Sequence, residues 1–533
     1  MLRAIIRKEC QYHLAGFRFR VGAFLAILLA ASSALIAARD YNLRLHTWRE
    51  RTAENALALS RASVYSYLQP AVVRPPEPLS ILDQGFDAHL GTEVMVHVYA
   101  VPAVAVGGHR GNELLVSVPA MDLTTIVTVV LGLLALLLAV DSVTCERENG
   151  MLRAVLAQGV RRPTLLAGKV LGGILTLALP LGGALLVSLA ILGFETAAEL
   201  TASHWLRIAA LAMAYVAYLC LMFLLGLAVS LWKPRPSTAL AASVIVWLTF
   251  ILLLPGAVRA TVEDLGGARE DRLAARVRRE QMATRHAQRL AAELRSEPLR
   301  ATFTGHTAVN FSGRAHGAVR YRHGSAAYYD ALSDYFRFEV AEGIRHADEV
   351  FAVQQQIQAR QRRSERLAAG VASLSPAALL DGLSESLAGT SLAEHEQFLA
   401  ACRRYRLELI RYLDGKNAFT SWRWFTDDRP ERLTPWPRFL GLAPEDVNET
   451  NAESLFSRFD DPQVAARIRR DLEARDLDPS QRLRLDDLPR FQYPGPRLLA
   501  SLGDGAFEAF ALLALNAAAW SAALSLFRRE LLA

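Results

Sequence analysis

Long apolar runs, separated by charged segments, dominate the pattern of this chain of 533 residues. An α-helix rises about 1.5 Å per residue, so about twenty apolar residues cover the roughly 30 Å of a bilayer's hydrocarbon core. Lipid offers the backbone no hydrogen-bond partners, and each such run is therefore predicted to be a helix. The six runs of that length are TM1 at 21–38, TM2 at 121–140, TM3 at 170–192, TM4 at 206–231, TM5 at 237–254 and TM6 at 506–527. The sequence thus predicts a polytopic α-helical membrane protein.

Arginine and lysine near the ends of these runs predict the orientation of the chain, because short cytoplasmic loops carry an excess of positive charge. Basic residues flank TM1 at its start, fill the loop between TM2 and TM3 and follow TM4 and TM6, whereas loop 193–204 has neither Arg nor Lys. Both termini are therefore predicted to be cytoplasmic. The segments assigned to that side include the interfacial segment 1–20, the loop 141–169 and the tail 528–533.

This orientation places residues 39–120 outside, where the pattern predicts a small mixed subdomain of helix and short strands. Residues 40–68 are charged and rich in Ala and Leu, which indicates that TM1 continues as a helix into water. The Val-rich stretch 93–106 predicts one or two short strands. The prolines that force extended or turn backbone between these stretches are Pro70, Pro75, Pro76 and Pro78.

Residues 255–505 are also predicted outside, as a large and mainly helical extracytoplasmic domain with no run apolar enough to span lipid. Glycines predict a loop at 303–325. Ser375 and Pro376 predict a helix start and Gly389 its end, with a membrane-lying or cargo-gating helix as the alternative interpretation. The stretches rich in good helix formers are 262–299, 326–367 and 392–413.

Composition is consistent with an apolar membrane part and a strongly charged aqueous part, at 52% hydrophobic and 21% charged residues. The net charge of +6 does not indicate a nucleic-acid binder, because the basic residues serve topology on one side and are interspersed with acids on the other. Of the four cysteines, Cys10 and Cys145 are predicted inside, Cys220 in TM4 and Cys402 outside. A structural disulfide within the chain is therefore not expected.

Motifs for nucleotide or metal binding are absent from the sequence. The Gly-Lys pairs at Lys169 and Lys416 lack the earlier Gly and the following Ser or Thr of a phosphate-binding loop, so ATP hydrolysis is expected in a separate subunit. His306, His316 and His323 lie in a Gly-rich stretch almost without Met or Cys, the soft ligands that Cu(I) prefers. No catalytic residue, bound cofactor or metal site is predicted in this chain.

Three charged residues lie near the predicted outer ends of TM2, TM4 and TM6, namely Asp122, Arg207 and Glu508. Charged side chains at such positions usually extend past the lipid into water. The alternative is an acid–Arg–acid cluster that latches an outer gate. Asn516 lies deeper in TM6 and is predicted to bond a neighbouring helix.

Loop 141–169 is the most informative cytoplasmic segment. Residues 146–157 predict a short amphipathic helix, acidic at its start, that could insert into a groove of a soluble partner; an ordinary charged loop is the alternative. The segment resembles the ATPase-coupling helix of ABC-2 type permeases, which are six-helix transport subunits. Met151 departs from the Thr that is usual there. The residues that match are Glu146, Arg147, Glu148, Gly150, Leu152, Arg153, Arg162 and Lys169.

Two further stretches resemble one branch of these permeases, which has a large periplasmic domain between membrane helices five and six. They are residues 74–81, rich in proline, and residues 374–406, with the Leu-Ser-Pro-Ala and Leu-Ala-Gly-Thr motifs. Members of the branch are related to permeases associated with multicopper enzyme maturation. The resemblance covers nearly the whole chain, and it leaves the cargo unidentified.

The resemblance implies the permease subunit of an ABC exporter in the bacterial inner membrane, with the large domain in the periplasm. It implies two copies of a cytoplasmic ATPase that binds ATP and Mg, and a second permease chain, either an identical copy or a related permease. Contacts with membrane lipid are expected, a periplasmic partner is left open, and nucleic acid is not expected. The alternatives are a non-transporting complex that transmits ATP-driven motion to a periplasmic partner, and a membrane-anchored scaffold without an ATPase.

Overall fold

The computed structural model of this chain is mostly helical, with two pairs of short strands. It describes residues 2–87, 90–106, 121–149, 151, 155, 160–233, 235–254, 268–294, 308–312, 317–321, 326–372, 374–424, 441–442, 461–464, 466, 470, 482–496 and 498–529. The strands are β1 Ala71–Val73, β2 Glu93–Met95, β3 Ala308–Ser312 and β4 Gly317–Tyr321. The helices are α1 Leu2–Ala15, α2 Phe17–Ser60, α3 Leu123–Glu148, α4 Arg162–Glu195, α5 Ala202–Trp232, α6 Pro236–Leu248, α7 Ala268–Leu294, α8 Ala326–Ala372, α9 Pro376–Ala388, α10 Leu392–Gly415, α11 Leu498–Asp504 and α12 Ala506–Arg529.

Five helices of the described chain, α2 to α5 and α12, are long and apolar enough to cross a membrane. They contain the predicted spans TM1, TM3, TM4 and TM6 and, from Leu123 onward, TM2. The apolar helix at TM5 is shorter: α6 ends at Leu248 and continues as the π-helical turn Thr249–Leu253. Helices long and apolar enough to span a membrane are therefore present at five of the six predicted positions in the described chain, whereas a sixth span at TM5 remains a prediction.

Helix α2 continues well beyond TM1. Its 44 residues correspond to about 66 Å at about 1.5 Å per residue, roughly twice the thickness of a hydrocarbon core. The helical continuation predicted for residues 40–68 is therefore present as far as Ser60. After it, β1 pairs antiparallel with β2, within the stretch where short strands were expected.

Helix α3 lies in the core of the bundle, where its most apolar stretch is 72% buried, more than that of any other span in the described chain. It packs mainly against α5, whose Tyr215, Tyr218 and Phe223 are fully buried. The π-helical turn Val127–Leu131 interrupts the regular bonding of α3, and the carbonyl of Thr128 accepts a hydrogen bond of 3.0 Å from the Tyr218 hydroxyl. The aromatic side chains of α5 thus fill this part of the core, and one of them also donates a hydrogen bond to it.

Gly173 on α4 lies against the ring of Phe223, so closely that a Cβ at this position would lie 2.3 Å from a ring carbon. Alanine at position 173 is therefore expected to force α4 and α5 apart and to lower the free energy of unfolding by about 1–3 kcal/mol. Gly182, on the same helix with no atom within 4 Å of that point, is the matched control. Thermal unfolding of Gly173→Ala and Gly182→Ala in detergent measures the effect, and equal melting temperatures would contradict it.

The prediction of a loop at residues 303–325 is wrong, because β3 and β4 form an antiparallel pair there, with Ala308 opposite Tyr321. The glycines of this stretch dominated the pattern, although Val309 and Phe311 already show the two-residue period of a strand. In chain order the pair lies between α7 and α8, two long helices that pack against each other.

A second apolar core lies apart from the membrane bundle and joins the two segments that were predicted outside. Val94 and Val96 of the first segment are buried against Phe398 and Cys402 of α10 and against Trp424. We call this unit, with β1, β2, α8 and α10, the polar domain. Its core is built from both segments, so the polar domain is one structure rather than two independent ones.

Candidate functional site

Four charged side chains meet where α1 crosses the bundle, and we call them the charged junction: Lys8, Glu9, Glu146 and Lys169. Lys169 of α4 is 1% exposed, and its Nζ lies 2.7 Å from Glu9 Oε1 and 2.8 Å from Glu146 Oε2. The same Nζ donates to the carbonyl of Ser142 at 2.8 Å. Lys8 pairs with the other oxygen of Glu146. The junction therefore fastens α1, α3 and α4 to one another.

The charges of the junction compensate each other, which is the condition under which buried charges are tolerated. Burial raises the pKa of Glu9, and the attraction of Lys169 opposes that rise. His13, one turn further along α1, has its pKa lowered to about 4 by burial and by Lys169. It is therefore neutral at pH 7, with its Nε2 3.4 Å from the Ser142 hydroxyl.

Two more of the predicted coupling residues are anchored to the ends of other helices. Arg147 donates to the carbonyls of Leu231 and Lys233, at 3.2 and 3.1 Å, where α5 ends. Arg162 donates to the carbonyl of Arg528 at 3.3 Å, near the end of α12. Carbonyls at a helix end have no partner within the helix, so these arginines complete the hydrogen bonding there.

The remaining predicted coupling residues are either exposed or lie outside the described residues. Glu148 is exposed at the end of α3 and faces solvent. Gly150, Leu152 and Arg153 lie outside the described residues, as does half of the predicted coupling helix. The structure thus describes the residues at the start of the loop and after it. Their ion pairs and hydrogen bonds connect α3, α4, α5 and α12 around the loop.

At the other end of the bundle, the three residues predicted as an outer gate do not bond one another. Asp122 caps α3 by accepting from the amide of Thr125 at 2.8 Å, and it also accepts from the amide of Gln84 at 3.2 Å. Arg207, 1% exposed, donates to Glu77 Oε1 at 2.9 Å instead of to either predicted acid. Asn516 does bond a neighbouring helix, as predicted, through the carbonyl of Ala217 at 3.1 Å.

Helix α9 lies among these residues and links them. The Arg207 Nε donates to the carbonyl of Leu387 at 2.7 Å, near the end of α9. Glu508 on α12 contacts the middle of the helix, since a Cβ on Gly382 would lie 3.3 Å from its Cγ. The helix has the bounds that its capping residues predicted: Ser375 accepts from the amide of Ala378, and Gly389 closes it with φ 75°.

Several acids that gather around α9 were not predicted from the sequence. Asp83, 3% exposed, accepts from the Thr124 hydroxyl at 3.1 Å, and Thr124 bonds the hydroxyl of Tyr215 at 2.8 Å. Asp381 and Glu385 occupy successive turns of α9 itself. We call these three residues, together with Asp122 and Glu508, the acid cluster. The sequence feature that could have revealed them is the pair Asp381 and Glu385, four residues apart on a short apolar helix.

Three members of the acid cluster, Asp381, Glu385 and Asp83, have raised pKa values. Burial raises the pKa of Asp381 to about 7, with a further contribution from Asp122. Burial and the neighbouring acids raise the pKa of Glu385 to about 8 and that of Asp83 well above its ordinary range. These carboxyl groups therefore hold protons at pH values where an exposed carboxyl is ionised.

Metal binding has no support in the described part of the chain, where no group of three or more His, Cys, Asp or Glu is arranged to hold an ion. The outside histidines considered from the sequence, His306, His316 and His323, lie outside that part.

Comparison with protein families gives two matches. The family described as ABC-2 family transporter protein matches residues 3–296, more than half of the chain. A domain of unknown function, DUF3526, matches residues 317–493. Comparison with curated proteins gives no match. The charged junction lies within the first match, whereas the acid cluster combines Asp83 and Asp122 from the first with Asp381 and Glu385 from the second.

Proposed function

This chain belongs to the ABC-2 family of transporter proteins, and from that premise we propose that it is the permease subunit of an ATP-binding-cassette exporter of the bacterial inner membrane. The energy comes from a separate cytoplasmic ATPase in two copies, which binds ATP and Mg. A second permease chain, either an identical copy or a related permease, completes the pathway. The permease itself contributes no catalytic group.

The charged junction is the observation that carries this proposal. It lies at the base of the loop that resembles a coupling helix, and it joins the start of that loop at Glu146 to its end at Lys169. Because Glu9 belongs to the same junction, a movement of the loop would displace α1, α3 and α4 together. An arrangement of this kind suits the transfer of motion from an ATPase below the membrane to the helices within it.

The coupling role is best tested at Glu148, because it is exposed at the loop, whereas Glu146 also holds the junction. Reversing the charge with Glu148→Lys is expected to weaken ATPase association by at least about tenfold, since mismatched charges at an interface cost several kcal/mol. Co-purification and vanadate-sensitive ATPase activity measure this. Glu195→Lys, an exposed reversal at the far end of α4, is the matched control. Unchanged co-purification of the Glu148 variant would argue against the coupling role.

The proposed orientation predicts a pattern of thiol labelling. Cys402 is predicted outside, but it is fully buried and burial raises its pKa to about 12, so it should stay unreactive. Cysteine introduced at the exposed Glu408 is expected to react with a membrane-impermeant maleimide in intact cells, and Cys145 only after permeabilisation. Labelling of Cys145 in sealed cells would invert the orientation.

The second candidate function is a non-transporting complex that passes ATP-driven motion to a periplasmic partner. The 47-residue helix α8 favours it, because a long helix can carry motion away from the membrane. A groove of about 820 Å³, lined by residues of α8 and α10 such as Phe351, Gln358 and Arg403, offers a partner surface. Crosslinking from Gln358 to a periplasmic protein, without substrate-dependent ATPase activity, would favour this candidate over export.

A further inference from the structure

We propose that α1 and the start of α2 form a binding surface for the headgroups of anionic phospholipids, and that the bound lipid holds α1 at the charged junction. We call it the basic surface, and its arginines are Arg3, Arg7 and Arg20. The proposal goes beyond the permease function and does not depend on which cargo, if any, is moved. It rests on the charges of this segment, on the exposed apolar residues beside them and on the packing of α1.

Positive charge is in excess at the start of the chain. Residues 2–20 carry five Arg or Lys side chains and a single acid, Glu9, which is buried and pairs with Lys169. Lys8 and Arg18 are paired as well, each with a carboxylate of α3. The three arginines of the basic surface are exposed and have no acidic partner within the part of the chain that the structure describes. The described protein therefore leaves three positive charges of this short segment uncompensated.

Large apolar side chains are exposed in the same segment. Phe17 and Phe24 of α2 are 74% and 69% exposed, and Val21 between them is exposed too. Residues three or four positions apart lie on one face of a helix, so these three form an apolar stripe. On α1, Tyr12 and Leu14 are exposed as well. Exposed apolar and basic residues in one segment are typical of a helix that lies in the headgroup layer of a membrane.

The side chain of Arg20 indicates the level at which the headgroups lie. Arg20 is three residues after Phe17 and four before Phe24, so it borders the apolar stripe. Its Nη2 donates to the carbonyl of Ala15 at 3.3 Å, and the side chain therefore bends back towards the end of α1. Arginines at lipid-facing positions bend in this way to reach the headgroup layer. A single bond leaves most donors of the guanidinium available for a phosphate group.

Arg3 and Arg7 lie on the side of α1 that is exposed. Helix α1 packs near the start of α4, where a Cβ on Gly168 would lie 2.6 Å from the Ile5 side chain. Ile5 and the buried Glu9 are one turn apart and form the packed side of α1. Arg3 and Arg7 are also one turn apart, about 5–6 Å between their Cβ atoms, and both are exposed. Two guanidinium groups at this spacing suit the oxygens of a phosphodiester.

An anionic phospholipid fits this surface better than free phosphate or an acidic protein. Its headgroup supplies the negative charge that the three arginines lack, and its acyl chains cover the apolar stripe that Arg20 borders. Neither free phosphate nor a water-soluble acidic protein would cover that stripe with hydrocarbon. Because α1 also carries Lys8 and Glu9, lipid bound to its arginines would hold the charged junction in place.

Lipid binding to the full-length protein in a non-ionic detergent tests the proposal, with native mass spectrometry to count the bound lipids. Each arginine near an anionic surface contributes about fivefold to binding, so phosphatidylglycerol is expected to bind at least about tenfold more tightly than phosphatidylcholine with the same acyl chains. The combined variant Arg3→Gln, Arg7→Gln and Arg20→Gln should lose this preference. Equal binding of the two lipids by the wild type, or an undiminished preference in the variant, would overturn the proposal.

Two control variants separate the basic surface from net charge and from packing. Arg276, Arg278 and Arg285 are exposed on α7, and changing all three to glutamine removes the same charge but should leave the preference for phosphatidylglycerol intact. Changing the three arginines of the basic surface to lysine keeps their charge and should keep the preference as well. Loss of the preference in either control would contradict an electrostatic lipid site on α1.

Hydrogen exchange in lipid nanodiscs locates the binding. Residues 2–15 are expected to exchange at least about fivefold more slowly in nanodiscs that contain phosphatidylglycerol than in nanodiscs of phosphatidylcholine alone, and the glutamine variant of the basic surface should show no difference. Glycerol phosphate in solution supplies the anion without acyl chains and should give no protection. Protection by glycerol phosphate, or exchange of residues 2–15 that is the same in both nanodiscs, would overturn the lipid site. Neither measurement involves the ATPase, so the outcome is independent of the proposed permease function.

Discussion

Replacing Lys169 with methionine is expected to lower the free energy of unfolding by about 3–5 kcal/mol, because a buried ion pair that loses one partner leaves the other charge uncompensated. Here Glu9 would lose the ammonium that lies 2.7 Å from it and would remain buried near Glu146, which keeps only its pair with Lys8. The melting temperature of the purified protein in detergent should fall accordingly. ATPase association should suffer as well, since the base of the loop would lose its support.

Two further variants separate the junction from a general effect of removing lysine. Lys169→Met combined with Glu9→Gln should recover part of the lost stability, because the charge left unpaired is removed together with its partner. Lys416→Met breaks an exposed pair with Asp487 and should leave the melting temperature unchanged. A Lys169→Met protein that melts with the wild type would show that the junction contributes nothing measurable.

The role of Lys169 shows how far the sequence leads. Lys169 could be proposed as a coupling residue because it matches the pattern of ABC-2 type permeases. Its main partner Glu9 lies 160 positions away, however, and no local sequence pattern connects the two residues. A weaker signal was present in α1, where Ile5, Glu9 and His13 repeat every four residues and so share one face of the helix. A charged residue on the buried face of an interfacial helix indicates a buried partner, whose identity depends on tertiary packing.

The fold was predictable wherever a local physical requirement decides it. Long apolar runs must be helical in lipid, and Ser375 with Gly389 gave the bounds of α9 through capping alone. The polar domain was not predictable in this way. Its core joins Val94 and Val96 to Phe398 across about three hundred residues, so residues 255–505 expressed alone would lack part of their own core.

Replacing Arg207 with methionine is expected to have the second large effect, again about 3–5 kcal/mol, because Glu77 and the Leu387 carbonyl would both lose a buried donor. Lysine should rescue little of this, since one ammonium cannot reproduce the fixed fork of a guanidinium that bonds in two directions. Melting temperature measures the loss. Hydrogen exchange should localise it to residues 376–388, because Arg207 holds the end of α9.

Arg276→Met is the matched control for this prediction. Arg276 pairs with Glu280 on the exposed surface of α7, at 79% and 67% side-chain exposure, and its removal should change neither melting temperature nor exchange. The decisive comparison is between the two elements that Arg207 connects. If Arg207→Met loosened α5 but left α9 protected, the arginine would only stabilise the bundle. Loss of protection in α9 first would identify it as the fastening of the polar domain to the membrane helices.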